Sequence, residues 1–264
     1  MRPFVENFPF FCIFLALVAG ILSATFRSGR AAYRMTLAVT GAIAVLSALT
    51  LRYVVEGGLS FSYTMGRFPI PLGNAIRCGP LQALLCTVFA GVLLFALVGG
   101  SRDLFHDVLP EKQRFYFVMV NLTDAALLSL VYTNDAFTGY VFIEISTIAA
   151  CALVMAKDNG PNLIATIRYL FMSLMGSGLF LIGLAILTSI TGYLLMPSMA
   201  EAVARLAETG EYRVPLTVCA GLMVTGLGIK SAMFPFHLWL PDAHGGATTA
   251  SPALLSGCSR DTSC

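Results

Sequence analysis

Three ionisable residues of this chain, Asp124, Glu144 and Lys230, stand inside long apolar runs. A charged side chain at the centre of a bilayer costs about 2.5–3.5 kcal/mol on insertion scales, so such residues are functional candidates by default. Glu144 sits in Tyr140-Val141-Phe142-Ile143-Glu144-Ile145-Ser146, and the next basic residue along the chain is Lys157, about 20 Å away on a helix. It cannot reach the interface and needs a partner or a proton. Lys230, in Gly226-Leu227-Gly228-Ile229-Lys230-Ser231, is the one Lys or Arg interior to any apolar run. Opposite charges at similar depth imply a pair, and a carboxylate about 4 Å from an ammonium holds it by about 4 kcal/mol at an effective dielectric near 20. Pro235 removes a backbone donor and clashes with the carbonyl of Ser231, while Gly226 and Gly228 loosen the preceding turn, so the helix is expected to break beside Lys230. A break inside a membrane survives where protein or water satisfies the freed backbone groups, and a local water pocket serving proton exchange is the expectation. The competing reading is a static Glu–Lys pair that orients two helices.

Asp124 belongs to a more polar run with Asn121, Thr123 and Ser129, where hydrogen bonding between helices is at least as good an account. The triplet Asn121-Leu122-Thr123 has a glycosylation pattern but lies within a span. His237 and His244, with Asp242 between them, have no third soft ligand nearby, so a relay or gate for protons is preferred to a metal site.

Composition defines what must position these groups. Of 264 residues, 57% are apolar and 11% charged, against about 25% charged in soluble domains. A formal charge of +2 is too small for a nucleic-acid partner. The seven cysteines, at 12, 78, 86, 151, 219, 258 and 264, form no C-x-x-C pair, and most lie in apolar runs as small hydrophobes, which argues against iron–sulfur, zinc and disulfide frameworks. Cutting the chain at its charges gives seven spans: Phe8–Phe26, Met35–Leu51, Gly79–Gly100, Phe115–Tyr132, Ala136–Ala156, Tyr169–Thr191 and Pro215–Leu240, with an eighth begun at Ala247. The first is read as an uncleaved helix rather than a signal peptide, because only Arg2 precedes it and Glu6 interrupts the basic region. Arg27, Arg30 and Arg34 put the first loop in the cytoplasm and the N-terminus outside. In the second loop the alternating Leu59–Met65, after Gly57-Gly58, predicts an extramembrane β-hairpin. Met199, Ala202, Val203 and Leu206, with Ser198 and Glu201 as a capping box and Gly210 as terminator, predict an amphipathic surface helix.

The segment Lys230-Ser231-Ala232-Met233-Phe234-Pro235-Phe236-His237-Leu238-Trp239-Leu240-Pro241-Asp242-Ala243-His244 resembles the signature of the antiporter-like subunits shared by respiratory complex I, membrane-bound hydrogenases and Mrp-type cation/proton antiporters. Asn134–Glu144 is similar to the same family's fifth helix. The resemblance runs from about residue 8 to residue 257. It implies an all-α integral membrane protein of seven helices plus a truncated eighth, the seventh broken near Lys230. It implies too that Glu144 and Lys230 form the working pair of a proton channel, passing protons to a lysine or histidine of helix eight; on the residues alone, His237 and His244 come next as relay or gate and Asp124 last.

The family implies proton translocation as a subunit of an NADH:quinone oxidoreductase-like or hydrogenase-like complex, or alternatively of a Mrp-type sodium/proton antiporter. Other subunits of a multisubunit membrane complex, the lipid bilayer, protons and sodium are the implied partners. No cofactor is expected in this chain, since redox groups belong to partner subunits, and no metal. The expected location is a prokaryotic inner or plasma membrane. Organisation follows the same plan: helices one and two with the hairpin over 1–78, channel helices three to eight over 79–257, and a polar tail over 258–264. The tail Cys258-Ser259-Arg260-Asp261-Thr262-Ser263-Cys264 departs from the family, as do Ala247–Pro252 and Cys78 in place of an aspartate, so a truncated or frame-shifted, non-functional fragment is a third expectation.

Overall fold

In a bilayer every backbone donor and acceptor must be satisfied internally, and apolar runs of this length therefore close into helices. The structure, a computed structural model, describes residues 4–58, 60–64, 75–157 and 160–241. After a 3-10 turn at Phe4–Asn7 come α1 (Phe8–Thr25), α2 (Gly29–Gly57), a hairpin of β1 (Phe61–Thr64) and β2 (Ala75–Cys78), α3 (Pro80–Gly99) and the short α4 (Ser101–Asp107). Then follow α5 (Pro110–Tyr132), α6 (Ala136–Val154), α7 (Gly160–Thr191), α8 (Met196–Thr209), α9 (Arg213–Lys230) and a 3-10 turn at Phe236–Leu238. Among the described residues, seven helices are long and apolar enough to span a membrane: α1, α2, α3, α5, α6, α7 and α9. The chain is thus an all-α membrane protein carrying one small sheet.

Several boundaries differ from those read off the charges. The second span extends from Gly29 to Gly57 because Arg30, Arg34, Arg52 and Glu56 are carried on helical turns at its ends, where an Arg52 Nε–Glu56 Oε1 contact of 2.8 Å links neighbouring turns. The sixth begins at Gly160 rather than Tyr169, and the fourth at Pro110, which is well suited to the first turn of a helix. Gly57-Gly58 is not the hairpin turn: Gly58, at φ 58°, is the left-handed cap that stops α2. The hairpin itself forms between Phe61–Thr64 and Ala75–Cys78, paired antiparallel from Phe61–Cys78 to Thr64–Ala75.

The amphipathic helix is present as α8 and ends at Gly210 with φ 73°, but its capping box is not formed. Pro197 starts the helix early, so Leu195 is the N-cap and Ser198 lies inside the first turn. The eighth span from Ala247, His244, Asp242 and the tail 258–264 lie outside the described residues.

Small and hydroxylated residues let α1, α2 and α5 approach closely. Asn121 of α5 donates to Thr36 Oγ1 of α2 at 2.8 Å, to Ser23 Oγ of α1 at 3.3 Å and to its own Phe117 carbonyl at 2.7 Å. About three helical turns away, Cys12 of α1 meets Ser47 of α2 at 3.8 Å. The five described cysteines are free and buried, as the apolar runs around them imply.

A knot of main-chain hydrogen bonds ties one end of the bundle together. Asn134 N donates to Ala75 O of β2, Ala136 N to Leu194 O, and Met196 N to Asn134 O, at 3.0 Å each. The hairpin, the start of α6 and the start of α8 are thereby fixed to one another. At the opposite ends of these helices, Lys157 after α6 bridges to Asp107 of α4 at 3.1 Å.

Candidate proton-transfer site

Glu144 lies midway along α6, whose start is fixed by the knot and by an N-cap: the Asp135 side chain accepts from Thr138 N at 2.7 Å. Lys230 is the last residue of α9. Among the described helices, α7 and α9 make the most extensive contact, and they do so through glycines. A Cβ on Gly226 would stand 2.5 Å from Gly176 O, and one on Gly183 would stand 3.0 Å from Cys219 O. This small-residue packing brings the end of α9 against α6 and α7.

There the expected pair is formed. Lys230 Nζ is 3.0 Å from Glu144 Oε1, with side chains 10% and 19% exposed respectively. The approach lies off the direction a hydrogen bond prefers, so Glu144 Oε1 has the ammonium's charge but no well-directed donor. The ammonium's directed bonds go elsewhere: to Thr147 Oγ1 at 2.9 Å, one turn beyond Glu144, and to Ser173 Oγ of α7 at 3.1 Å. Two charges brought into a bilayer cost about 5–7 kcal/mol together, and at 3.0 Å their attraction returns about 5–6 kcal/mol at an effective dielectric near 20. These nearly cancel, which is the condition under which a proton arriving or leaving tips the arrangement.

The helix breaks where Pro235 and the glycines placed it. Protein groups take up carbonyls freed beside the break. Ser231 N and Oγ both donate to Leu227 O at 2.8 Å, Met233 N donates to Gly228 O at 2.9 Å, and Trp239 Nε1 reaches Ile229 O at 3.4 Å. Trp239 is held in turn by stacking on Tyr169 of α7, with centroids 4.6 Å apart and planes at 24°.

The other described candidates, His237 and Asp124, do not contact the pair. His237 is exposed in the 3-10 turn after the break and stacks on Phe234 at 5.9 Å. His244 lies outside the described residues. Asp124 is 3% exposed on α5, and its Oδ2 has no hydrogen-bond partner among the described residues. Thr36 contacts Asn121, and α2 and α5 run in the same direction, so Thr40 one turn on lies level with Asp124; its Oγ1 is also without a partner. Asp124 is thus part of the α1–α2–α5 packing, separate from the Glu144–Lys230 site. Thr147 and Ser173 were missed by the sequence reading, although their hydroxyls are the ammonium's best-aligned acceptors. Residue spacing offered one hint, since Thr147 is three positions from Glu144 and shares its helix face.

Comparison with known proteins identifies the family. Residues 133–261 match the family model described as NADH:quinone oxidoreductase/Mrp antiporter, TM. The chain is 32% identical over 246 residues to the N subunit of the NADH-quinone oxidoreductase of Desulforudis audaxviator, covering 92% of this chain and 46% of the relative. It is 27% identical over 256 residues to a Na(+)/H(+) antiporter subunit of Bacillus subtilis, covering 96% and 49%. It therefore spans about half the length of the curated relatives it matches. In fold it is similar to a chain of the archaeal membrane-bound sulfane sulfur reductase, with a TM-score of 0.85 and 22% identity over 98% of this chain and 51% of that one. A chain of the Mrp complex from Dietzia superposes with a TM-score of 0.84 and 23% identity, covering 100% of this chain and 47% of that one. By these matches the chain belongs to the NADH:quinone oxidoreductase/Mrp antiporter transmembrane family.

Proposed function

We propose that this chain carries protons through the membrane by way of Glu144 and Lys230, as a subunit of a multisubunit NADH:quinone oxidoreductase-like or hydrogenase-like complex. The observation that carries the reading is the 3.0 Å contact between a carboxylate and an ammonium at a helix break inside the spanning bundle. Protonation of Glu144 removes the charge facing Lys230 and frees the ammonium to pass its proton on. Electron transfer belongs to partner subunits. His237 and His244, which follow the break in the sequence, act as relay or gate, and Asp124, set in the α1–α2–α5 packing, plays no part in the transfer. Loop one, with Arg27, Arg30 and Arg34, faces the cytoplasm of a prokaryotic cell and the N-terminus lies outside.

A second reading, a Mrp-type sodium/proton antiporter subunit, uses the same pair and is supported by the likeness to the Bacillus subtilis antiporter protein over almost the whole chain. Proton flux in inverted membrane vesicles tests the common core: Glu144→Gln and Lys230→Ala are each expected to abolish it. Flux unchanged by both substitutions would falsify the proton-carrying role. Flux driven by an imposed sodium gradient favours the antiporter reading; flux driven only by electron donors favours the oxidoreductase one.

A further inference from the structure

An ammonium has three N–H donors and no acceptor, and here three oxygens surround it: Glu144 Oε1 at 3.0 Å, Thr147 Oγ1 at 2.9 Å and Ser173 Oγ at 3.1 Å. One of the three is charged. The two hydroxyls are not free to choose their role. Thr147 Oγ1 commits its hydrogen to Ile143 O, at 2.9 Å. Ser173 Oγ commits its hydrogen to Thr147 Oγ1, at 3.4 Å. With both hydrogens directed to these acceptors, both oxygens offer lone pairs to Lys230. They come from different helices, α6 and α7, so the seat exists only when those helices are packed. Other titratable groups near Nζ are Cys151 of α6 and, against Thr147, Tyr169 of α7.

We propose that Thr147 and Ser173 form a second seat for the Lys230 ammonium, holding it in place when Glu144 takes up a proton. The proposal rests on the proton-carrying reading of the pair. When a proton from the aqueous side neutralises the Glu144 carboxylate, Lys230 loses the facing charge but keeps its own proton and its two directed hydrogen bonds. The ammonium then waits, charged and positioned, for the next group in the path rather than being expelled as Glu144 is neutralised. Thr147 and Ser173 are positioning residues: they act through Lys230 and carry no proton themselves.

The test is the pH profile of proton flux in inverted membrane vesicles for Thr147→Val, Ser173→Ala, the double variant and Thr147→Ser. A hydrogen bond to a charged donor is strong enough that losing one moves a proton equilibrium by about tenfold. Each single removal is therefore expected to shift the alkaline limb of the profile to lower pH by about one unit, the double variant further, while Thr147→Ser keeps the wild-type profile. Unshifted limbs in the hydroxyl-free variants overturn the proposal, as does an equal loss in Thr147→Val and Thr147→Ser, which marks a packing role. Lys230→Ala in the same vesicles separates the two readings. Flux abolished there with unshifted hydroxyl variants sinks the second seat alone; flux indifferent to Lys230→Ala sinks both.

Discussion

The reach of Lys230 to its partners depends on how closely α9 lies against α7, and one added methyl group tests this. In Gly226→Ala the new Cβ would sit 2.5 Å from Gly176 O, 2.8 Å from Phe180 N and 3.0 Å from Phe180 Cβ. Two of these are backbone atoms of a continuous helix and cannot rotate aside, so the shortfall of about 0.9 Å from ordinary contact is made up by separating the helices. Lys230 follows Gly226 by four residues and lies on the same helix face. The same displacement opens Lys230 Nζ–Ser173 Oγ from 3.1 Å to about 4 Å, beyond hydrogen-bonding range. Overpacking of this kind costs about 1–3 kcal/mol. Gly228→Ala is the matched control: the same chemical change two residues on, where no atom of the described residues lies within 4 Å of the added one. Both variants gain the helix propensity of alanine, about 1 kcal/mol, so the difference between them isolates the contact. Thermal melting of the purified protein in detergent should place Gly226→Ala below Gly228→Ala, by about 2–4 °C per kcal/mol. Proton flux should fall in the first and persist in the second. If Gly226→Ala melts and conducts like Gly228→Ala, the close approach of α7 and α9 does not position Lys230.

Two further outcomes follow from groups away from the pair. Asp124→Asn replaces a buried carboxyl whose Oδ2 has no partner with an amide that can donate toward the equally unpartnered Thr40 Oγ1. Its melting temperature is expected to equal or exceed that of the wild type with flux unchanged, and a loss of flux at wild-type stability would place Asp124 in the proton path. Cys78, at the end of β2 and outside the spans, has its thiol pushed up to about 12, chiefly by burial and then by the neighbouring Cys12. At pH 8 the thiolate fraction is about one in ten thousand, so a maleimide should label Cys78 only after denaturation; rapid labelling of the folded protein contradicts its burial.

The sequence by itself determined the spans and the chemistry within them. Apolar runs of bilayer length leave the backbone no alternative to helix, and a lone lysine and a lone glutamate in those runs are bound to find each other because neither can be left unpaired in hydrocarbon. Pro235 fixed the break for a local reason, a missing donor and a steric clash. Strand one of the hairpin was readable from its alternation, but Ala75–Cys78 was not, since that four-residue stretch has no pattern of its own and becomes a strand only by pairing with Phe61–Thr64.

Tertiary structure decided the rest. Hydroxyls at 147 and 173 read in sequence as ordinary helix residues that bond their own carbonyls, and nothing in their spacing says that two helices bring them to one ammonium 83 and 57 residues away. Pro197 displaced the helix start that Ser198 and Glu201 mark in the sequence, because a residue pre-set for the first turn outweighs a cap one position later. Gly226 reads in sequence as a loosening element beside Lys230; packed against Gly176 it is the point of closest approach that delivers the lysine to its partners. Residue types set which groups must be satisfied, and only the packing of α6, α7 and α9 determined which atoms satisfy them, because that depends on distances between segments the chain keeps far apart.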